Sequence, residues 1–358
     1  MKKNIFILNY PAHYRLPIYR KIGDELNADF YFGDIPDSNI KKIEKGELES
    51  YKDLFRTIKI KSFYWYSGML KLIFKPYENY ILTGDPFIIS NWFFLILAKI
   101  FRKKTILWSH GMYGRESKIR LILKKIYFKL ADKLFIYGNY SKNLLLQNGF
   151  NSSNIFVVYN SLDFSQQLVI RNELKKTDVF KSHFKNNFKN LIFIGRIQKS
   201  KKLEQVLDAM IILLRKNVKV NFTIIGGIDK NYNFLDEINM RNLSQNVWLL
   251  GESYDEYLNG EFLFNADACV SPGNIGLTAI HSLMFNTPVI THNDFKYQGP
   301  EFEAIMDNVN GAFFIKDNIN DLANKIELVL ESDYQNCFEV VDNLWNPSNQ
   351  IEIMKKAL

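Results

Sequence analysis

Short runs of β-branched and aromatic residues alternate along the chain with longer stretches whose apolar positions recur every three or four residues. Asn4–Leu8 (NIFIL) reads as a buried strand, followed by the loop YPAHYR and a helix from about Leu16 to Leu26. Further strands are expected at Ala28–Phe32, Tyr80–Thr83, Thr105–Trp108, Lys133–Tyr137 and Ile155–Val158, with a helix opening near Ser141. Residues 165–188 are polar, contain no long apolar run, and read as a linker. The alternation then restarts with strands at Asn190–Ile194, Lys219–Ile225, Val247–Leu250, Ala268–Val270, Pro288–Thr291 and Gly311–Ile315. Helices are expected at about Lys202–Lys216, Leu277–Phe285 and Ile319–Leu330. Asn346 followed by Pro347 is a cap with proline in the first turn, opening a last helix that runs to about Ala357. Strands that each stop in a polar loop before a helix are the mark of a parallel, doubly wound sheet, and ligands bind such sheets at the carboxyl ends of the strands. The pattern gives two α/β domains of similar size and no short repeat.

Length and composition agree with this. A chain of 358 residues, 47% hydrophobic and 23% charged, can bury two cores and is not of disordered type. Cys269 and Cys337 are too few for a disulfide framework or a cysteine zinc site. The amino-terminal apolar run stops at Asn9, too early for a signal peptide, and a cytoplasmic protein is expected. The longest apolar stretch, Pro86 to Ala98, falls short of the roughly 20 residues needed to cross a bilayer and contains Asn91.

Charge changes the picture more. Residues 1–165 hold 26 Lys and Arg against 14 Asp and Glu, whereas the remainder holds 20 against 24. Such asymmetry points one half of the molecule toward an anionic partner. The positive charge concentrates in Lys99–Lys104 and in Lys118–Lys133. In the second segment Ile119, Ile122, Leu123, Ile126, Leu130 and Leu134 form one stripe, and Lys118, Lys124, Lys125 and Lys129 fill much of the rest. Two readings stand: a basic amphipathic helix lying on an anionic membrane, or a solvated face on a core-packed helix. No nucleic-acid motif accompanies the charge, and nucleic acid is not expected as a partner.

Two loops carry candidate chemistry. Gly195-Arg196-Ile197-Gln198-Lys199-Ser200-Lys201 follows a strand, where glycine admits a ligand to the backbone and Arg196 and Lys201 offer a planar fork and a point charge to phosphate. Ser271-Pro272-Gly273-Asn274-Ile275-Gly276-Leu277 lies between a strand and a helix, whose free N–H groups favour an anion. Together they describe an anion clamp. They are not a Walker A loop, no G-x-G-x-x-G follows the first strand, and no G-x-S-x-G is present. His13, His110, His183, His281 and His292 show no metal-ligand spacing with cysteine.

These residues give the chain its resemblance. FIGRIQKSKKLEQVLDAM, IIGG, VWLLG and ADACVSPGNIGLTAIHSLMFNTPVIT, in that order and spacing, resemble the GT-B glycosyltransferases of the large retaining group, family 4, that builds bacterial surface polysaccharides. Tyr159-Asn160-Ser161-Leu162-Asp163 resembles that group's turn at the domain junction. The resemblance implies two doubly wound Rossmann-like domains facing a central cleft. Residues 1–165 would bind acceptor, residues 166–345 would bind nucleotide sugar, and the helix in 346–358 would return to the first domain. It implies that Arg196 and Lys201 neutralise the donor diphosphate, so that neither a metal nor a cofactor beyond the nucleotide-sugar co-substrate is required. Gly195, Gly226, Gly227 and the stretch Gly273, Asn274, Ile275, Gly276, Leu277 and Thr278 would line the donor, together with His281 and Glu301. His13, Arg15 and Asp85 would meet a glycan or lipid-linked acceptor, with His110 beside the transferred sugar.

One departure matters. The family places glutamates at the positions held here by Gly273 and His281. Imidazole can donate and accept one hydrogen bond each, so His281 can still grip a ribose diol, but Gly273 cannot replace a carboxylate. The competing expectations are a GT-B nucleotide-sugar 2-epimerase and a non-catalytic nucleotide- or sugar-binding module.

Overall fold

The computed structural model describes residues 3–35 and 41–358, and the chain divides into two compact units, Met1–Asp163 with Asn346–Leu358, and Phe164–Trp345. In the first unit, strands β1 (Asn4–Leu8), β2 (Ala28–Gly33), β3 (Tyr51–Phe55), β6 (Asn79–Thr83), β7 (Lys104–Ser109), β8 (Lys133–Ile136) and β9 (Ile155–Val157) form one parallel sheet in the order β3-β2-β1-β6-β7-β8-β9. β1 is buried at all five positions because helices cover both faces. Phe6 and Leu8 pack on one side with Tyr19 and Ile22 of α1 (Leu16–Glu25). Ile5 and Ile7 pack on the other with Phe94 and Leu95 of α2 (Ile89–Ile100).

The strand pair β4 (Thr57–Ile60) and β5 (Phe63–Tyr66) is an antiparallel hairpin outside the main sheet, turning at Lys61 with φ of 54°. Trp65 meets Phe93 of α2 edge-on, with ring centroids 5.6 Å apart.

Helix α3 (Lys118–Leu130) rests on the core through Tyr127 and Phe128. Of the expected aliphatic stripe, Ile119, Ile122, Leu123 and Ile126 face solvent instead, with Ile119 73% exposed, whereas Leu130 packs partly on the core and Leu134 is buried in β8. The aromatic pair, one residue out of phase with the aliphatic stripe, supplies the larger apolar area to the core. Helix α4 (Asn139–Gln147) completes the crossovers of this unit.

In the second unit the strands β10 (Lys189–Ile194), β11 (Val220–Ile225), β12 (Val247–Gly251), β13 (Ala268–Ser271), β14 (Val289–His292) and β15 (Gly311–Phe314) are again parallel, in the order β12-β11-β10-β13-β14-β15. Helices α5 (Phe164–Glu173) and α6 (Val179–Phe184) occupy the stretch expected to be a linker. Buried Ile170 and Phe180 tie them down, and Phe180 meets Phe262 edge-on at 5.6 Å. The polar sequence hid them because each helix sinks only one or two apolar residues. The remaining helices are α7 (Glu204–Arg215), α8 (Phe234–Met240), α9 (Glu256–Asn265), α10 (Thr278–Met284), α11 (Ile319–Glu331) and α12 (Glu339–Asn343). The hairpin, β3, α8, α9 and α12 carry no expectation from the sequence pattern.

The last helix, α13 (Pro347–Ala357), is capped by the Asn346 side chain, which accepts from the Asn349 N–H. It belongs to the first unit. Ile351, Met354 and Ala357 join the cluster of Phe6, Tyr19 and Ile22. Gln350 reaches back to the 159–163 turn, with Ser161 Oγ donating to its Oε1 at 2.9 Å and its Nε2 donating to the Tyr159 carbonyl at 3.1 Å.

Candidate active site

Each sheet reverses its winding once, between β1 and β6 in the first unit and between β10 and β13 in the second. Such switch points leave a crevice at the carboxyl ends of the strands. Both carry convergent polar groups.

In the second unit the Arg196 loop follows β10 and the Gly273 loop follows β13, its hydrogen-bonded neighbour. The two loops are tied together by their backbones. The Gly273 N–H donates to the Lys201 carbonyl at 3.0 Å, Lys201 Nζ donates to the Asn274 carbonyl, and Thr278 Oγ1 donates to the Ile194 carbonyl at 2.9 Å. A Cβ at 273 would lie 2.2 Å from the Ser200 carbonyl oxygen and 2.8 Å from Lys201 Cα. Glycine is therefore demanded by loop-to-loop contact, and the position that would carry the missing carboxylate is turned into that contact.

The expectation that backbone N–H groups of the whole 273–277 stretch face a ligand needs correction. Two of them are already used, that of Gly273 by Lys201 and that of Ile275 by Gln298 Oε1 at 2.9 Å. Gln298 is buried and anchored in turn on Thr291 Oγ1 at 2.8 Å and the His292 carbonyl at 3.1 Å. The N–H groups of Asn274, Gly276 and Leu277 carry no hydrogen bond among the described residues. Gly226 is likewise a packing residue, since a Cβ there would sit 1.9 Å from the Gly195 carbonyl oxygen. Gly195 donates its N–H to Ile225, and Gly227 accepts from the Ile197 N–H, so the strand-end loops are laced backbone to backbone. Gly227 looks onto the Glu252 carboxylate, 3.7 Å from where its Cβ would be.

Arg196 is exposed and forms no ion pair among the described residues. Burial pushes the Lys201 ammonium below its ordinary pKa, an effect partly offset by Glu301. Glu301 is buried, and its Oε2 lies 2.8 Å from the Cβ position of Gly299, a point itself 3.4 Å from Asn274 Oδ1 and Gly276 Cα. A buried carboxylate thus stands close to the Gly273 loop, on the side of Asn274 and Gly276.

His281 is half-buried and its Nε2 lies 2.8 Å from Glu256 Oε1, which also accepts from Gln167 Nε2 at 2.8 Å. Burial alone would raise the Glu256 carboxyl, but His281 and Gln167 more than reverse it and hold it below its usual range. Sequence reasoning missed Glu256 and Gln298. Neither sits in a motif, and both act only through chain segments brought close by the sheet.

In the first unit, Leu8 to Tyr10, Thr83 to Phe87, Trp108 to Gly111 and Tyr137 surround a pocket of about 500 Å³ at the β1/β6 switch point. It brings together Arg15, Asp85 and His110 of the expected residues, and Lys124 beside them. His13 does not line it and lies 3.4 Å from Glu47 instead. The Arg15 guanidinium sits 5.4 Å from the Tyr137 ring centroid and 5.5 Å from that of Trp108, and donates to Tyr137 Oη at 2.8 Å. No carboxylate pairs with it among the described residues. Trp108, 4% exposed, has an indole N–H with no partner there either. A guanidinium without a carboxylate partner at the pocket wall suits an oxygen-rich or anionic group. Burial, then the charges of Arg15 and Lys124, push His110 down to about 4, so the ring is neutral at pH 7. Burial raises Asp85, although the Phe87 N–H and Lys124 oppose it.

Two parallel, doubly wound units, each with polar groups at its switch point, define the GT-B fold. Over residues 175–341 the chain matches the family described as glycosyl transferases group 1. The crystal structure of Anabaena HepE in complex with UDP superimposes with a TM-score of 0.73 at 17% identity, covering 99% of both chains. An uncharacterized glycosyltransferase of Methanocaldococcus jannaschii is 22% identical over 69% of this chain and 65% of its own length. The poly(ribitol-phosphate) alpha-N-acetylglucosaminyltransferase of Staphylococcus aureus is 25% identical over 55% of this chain and 43% of its own. The matched stretches thus span less than two thirds of these curated relatives.

Proposed function

We propose that the chain is a glycosyltransferase that moves a hexosyl or N-acetylhexosaminyl group from a nucleoside diphosphate sugar to a lipid-linked polysaccharide precursor, with retention of anomeric configuration. The observation that carries this is the joining of the Arg196 and Gly273 loops at the β10/β13 switch point, which sets an exposed guanidinium and the unbonded N–H groups of Asn274, Gly276 and Leu277 on adjoining loops. Those groups suit a diphosphate, and the match of residues 175–341 to group 1 glycosyl transferases supports the same reading. Arg196 and Lys201 neutralise the departing diphosphate, and no metal is assigned a role. As the anomeric C–O bond to the diphosphate breaks, the acceptor hydroxyl oxygen bonds to the same carbon on the same face. Its proton passes to the leaving phosphate oxygen. Neutral His110 holds a sugar hydroxyl, and Glu301 and the His281–Glu256 pair hold the sugar and ribose of the donor. Fit to a bacterial inner-membrane surface rests on the positive charge of the first unit.

A thermal-shift comparison of UDP, GDP, ADP and CMP tests the nucleotide site, with one diphosphate expected to raise the Tm. Slow release of nucleoside diphosphate from a nucleotide sugar without acceptor, abolished by Arg196→Ala, tests the chemistry. Because Gly273 is packed shut, the non-catalytic module remains the competing reading. Tight nucleotide binding without turnover on any acceptor favours it.

A further inference from the structure

Beside the pocket of the first unit lies a second, more apolar cavity of about 710 Å³. Phe63 of the β4–β5 hairpin, Phe87, Ile89 and Trp92 at the start of α2, and Leu123 of α3 form its walls, and Arg115 and Arg120 stand at its edge. It shares Pro86, Phe87, Tyr113 and Lys124 with the His110 pocket, so the two spaces are separated by one layer of side chains. The shared wall is firmly built. Glu116 accepts from the N–H groups of Tyr113 and Gly114 at 2.8 and 2.9 Å, and Lys124 Nζ bridges Glu116 to the Gly111 carbonyl at 2.8 and 2.9 Å. Phe63 and Phe87 pack on each other with centroids 5.9 Å apart while each stays more than two fifths exposed. An apolar space of this size with cations at its edge, adjoining a pocket that holds an unpaired guanidinium and an unsatisfied indole N–H, matches an amphiphile with one anionic group between a hydrocarbon chain and a polar end.

We propose that this cavity takes the first segment of the acceptor's own lipid chain, a prenyl or acyl phosphate. The phosphate then lies at Arg115 and Arg120, and the glycan end extends past Lys124 to His110. This rests on the glycosyl-acceptor reading of the His110 pocket and adds the site that selects the anchor. The source of the chain is the acceptor itself and not bulk bilayer lipid, because the cavity shares Pro86, Phe87, Tyr113 and Lys124 with the pocket that holds His110. Of the exposed aliphatic stripe of α3 only Leu123 lines the cavity; Ile119, Ile122 and Ile126 lie outside it.

The test uses the full chain and a fluorescent farnesyl phosphate below its aggregation concentration, with farnesol, inorganic phosphate and anionic phospholipid vesicles as competitors. Farnesyl phosphate is expected to bind, to be displaced by farnesol weakly and by phosphate hardly at all, and to lose about tenfold or more in affinity in Leu123→Asp and in Arg120→Glu. Both positions are exposed, so the variants are expected to fold. Ile119→Asp, on the same helix but outside the cavity, is expected to leave farnesyl phosphate affinity within about twofold and to weaken vesicle binding. Equal losses in all three variants, or displacement by vesicles alone, would overturn the proposal in favour of a general membrane surface. Nucleoside diphosphate binding is measured on the same samples. If it persists while farnesyl phosphate fails to bind, the anchor site is wrong; if it too is absent, the glycosyltransferase reading fails with it.

Discussion

Arg196 and Lys201 share a loop but not a task. Arg196 stands exposed without an ion pair, free to meet a diphosphate, whereas Lys201 also fastens the Asn274 carbonyl and so sets the shape of the neighbouring loop. Arg196→Ala is expected to lower kcat/KM by about 100-fold or more while leaving Tm unchanged, by analogy with loss of one transition-state donor. Lys201→Ala is expected to cost at least as much activity and to lower Tm as well, a split that steady-state kinetics and calorimetry read directly. Gly273→Ala and Gly226→Ala both push a methyl into backbone, and each is expected to destabilise the chain by about 1–3 kcal/mol in urea denaturation. One buried histidine gives a pH signature. His292 is pushed down to about 4, chiefly by burial. It binds its proton less tightly in the folded chain than in the unfolded one, whose value is near 6.5, so the unfolded state takes up that proton first as the pH falls. Its contribution to stability is therefore complete above about pH 6.5 and declines toward pH 4, and His292→Asn is expected to flatten part of that decline in Tm measured against pH.

At the scale of elements, legibility followed burial. β1 and β10 are covered on both faces, so the apolar runs IFIL and LIFI stand out in the sequence. The hairpin at 57–66 was invisible because its apolar side chains do not alternate toward a core: Ile58, Ile60 and Phe63 all remain exposed. In α3 the periodicity was plain but its meaning was not. A stripe of four aliphatic residues reads as a core face, yet the core takes Tyr127 and Phe128, and the stripe is left outside among lysines. Such a surface is expected to bind anionic vesicles and to release them as salt rises from about 50 to 500 mM, since screening shortens the reach of the cations. Co-sedimentation measures this, with Ile119→Asp reducing the bound fraction at every salt concentration. Among the described residues, no helix is long and apolar enough to cross a membrane.

For the whole molecule, the two-sheet plan was open to reading because most strands of the two sheets end in a polar loop before the next helix. Of the site, Arg15, Asp85, His110, Arg196, Lys201 and Glu301 lie at strand ends where a parallel sheet gathers its loops. His13 points to Glu47, and Glu256 and Gln298 went unseen because Gln167, His281 and Ile275, which they meet, are distant in sequence. The helix at 347–357 ties the far end of the described chain into the first unit, and Ile351→Ala, which empties a fully buried position between α1 and the sheet, is expected to cost about 2–5 kcal/mol in stability. That tie also sets an order of events during synthesis. The stretch from Phe164 to Trp345 is contiguous and can close as soon as it leaves the ribosome, but the unit that precedes it lacks part of its interior until residues 346–358 are released. The earlier-made of the two is completed after the later, and a ribosome stalled before residue 346 would hold it with one greasy flank still bare.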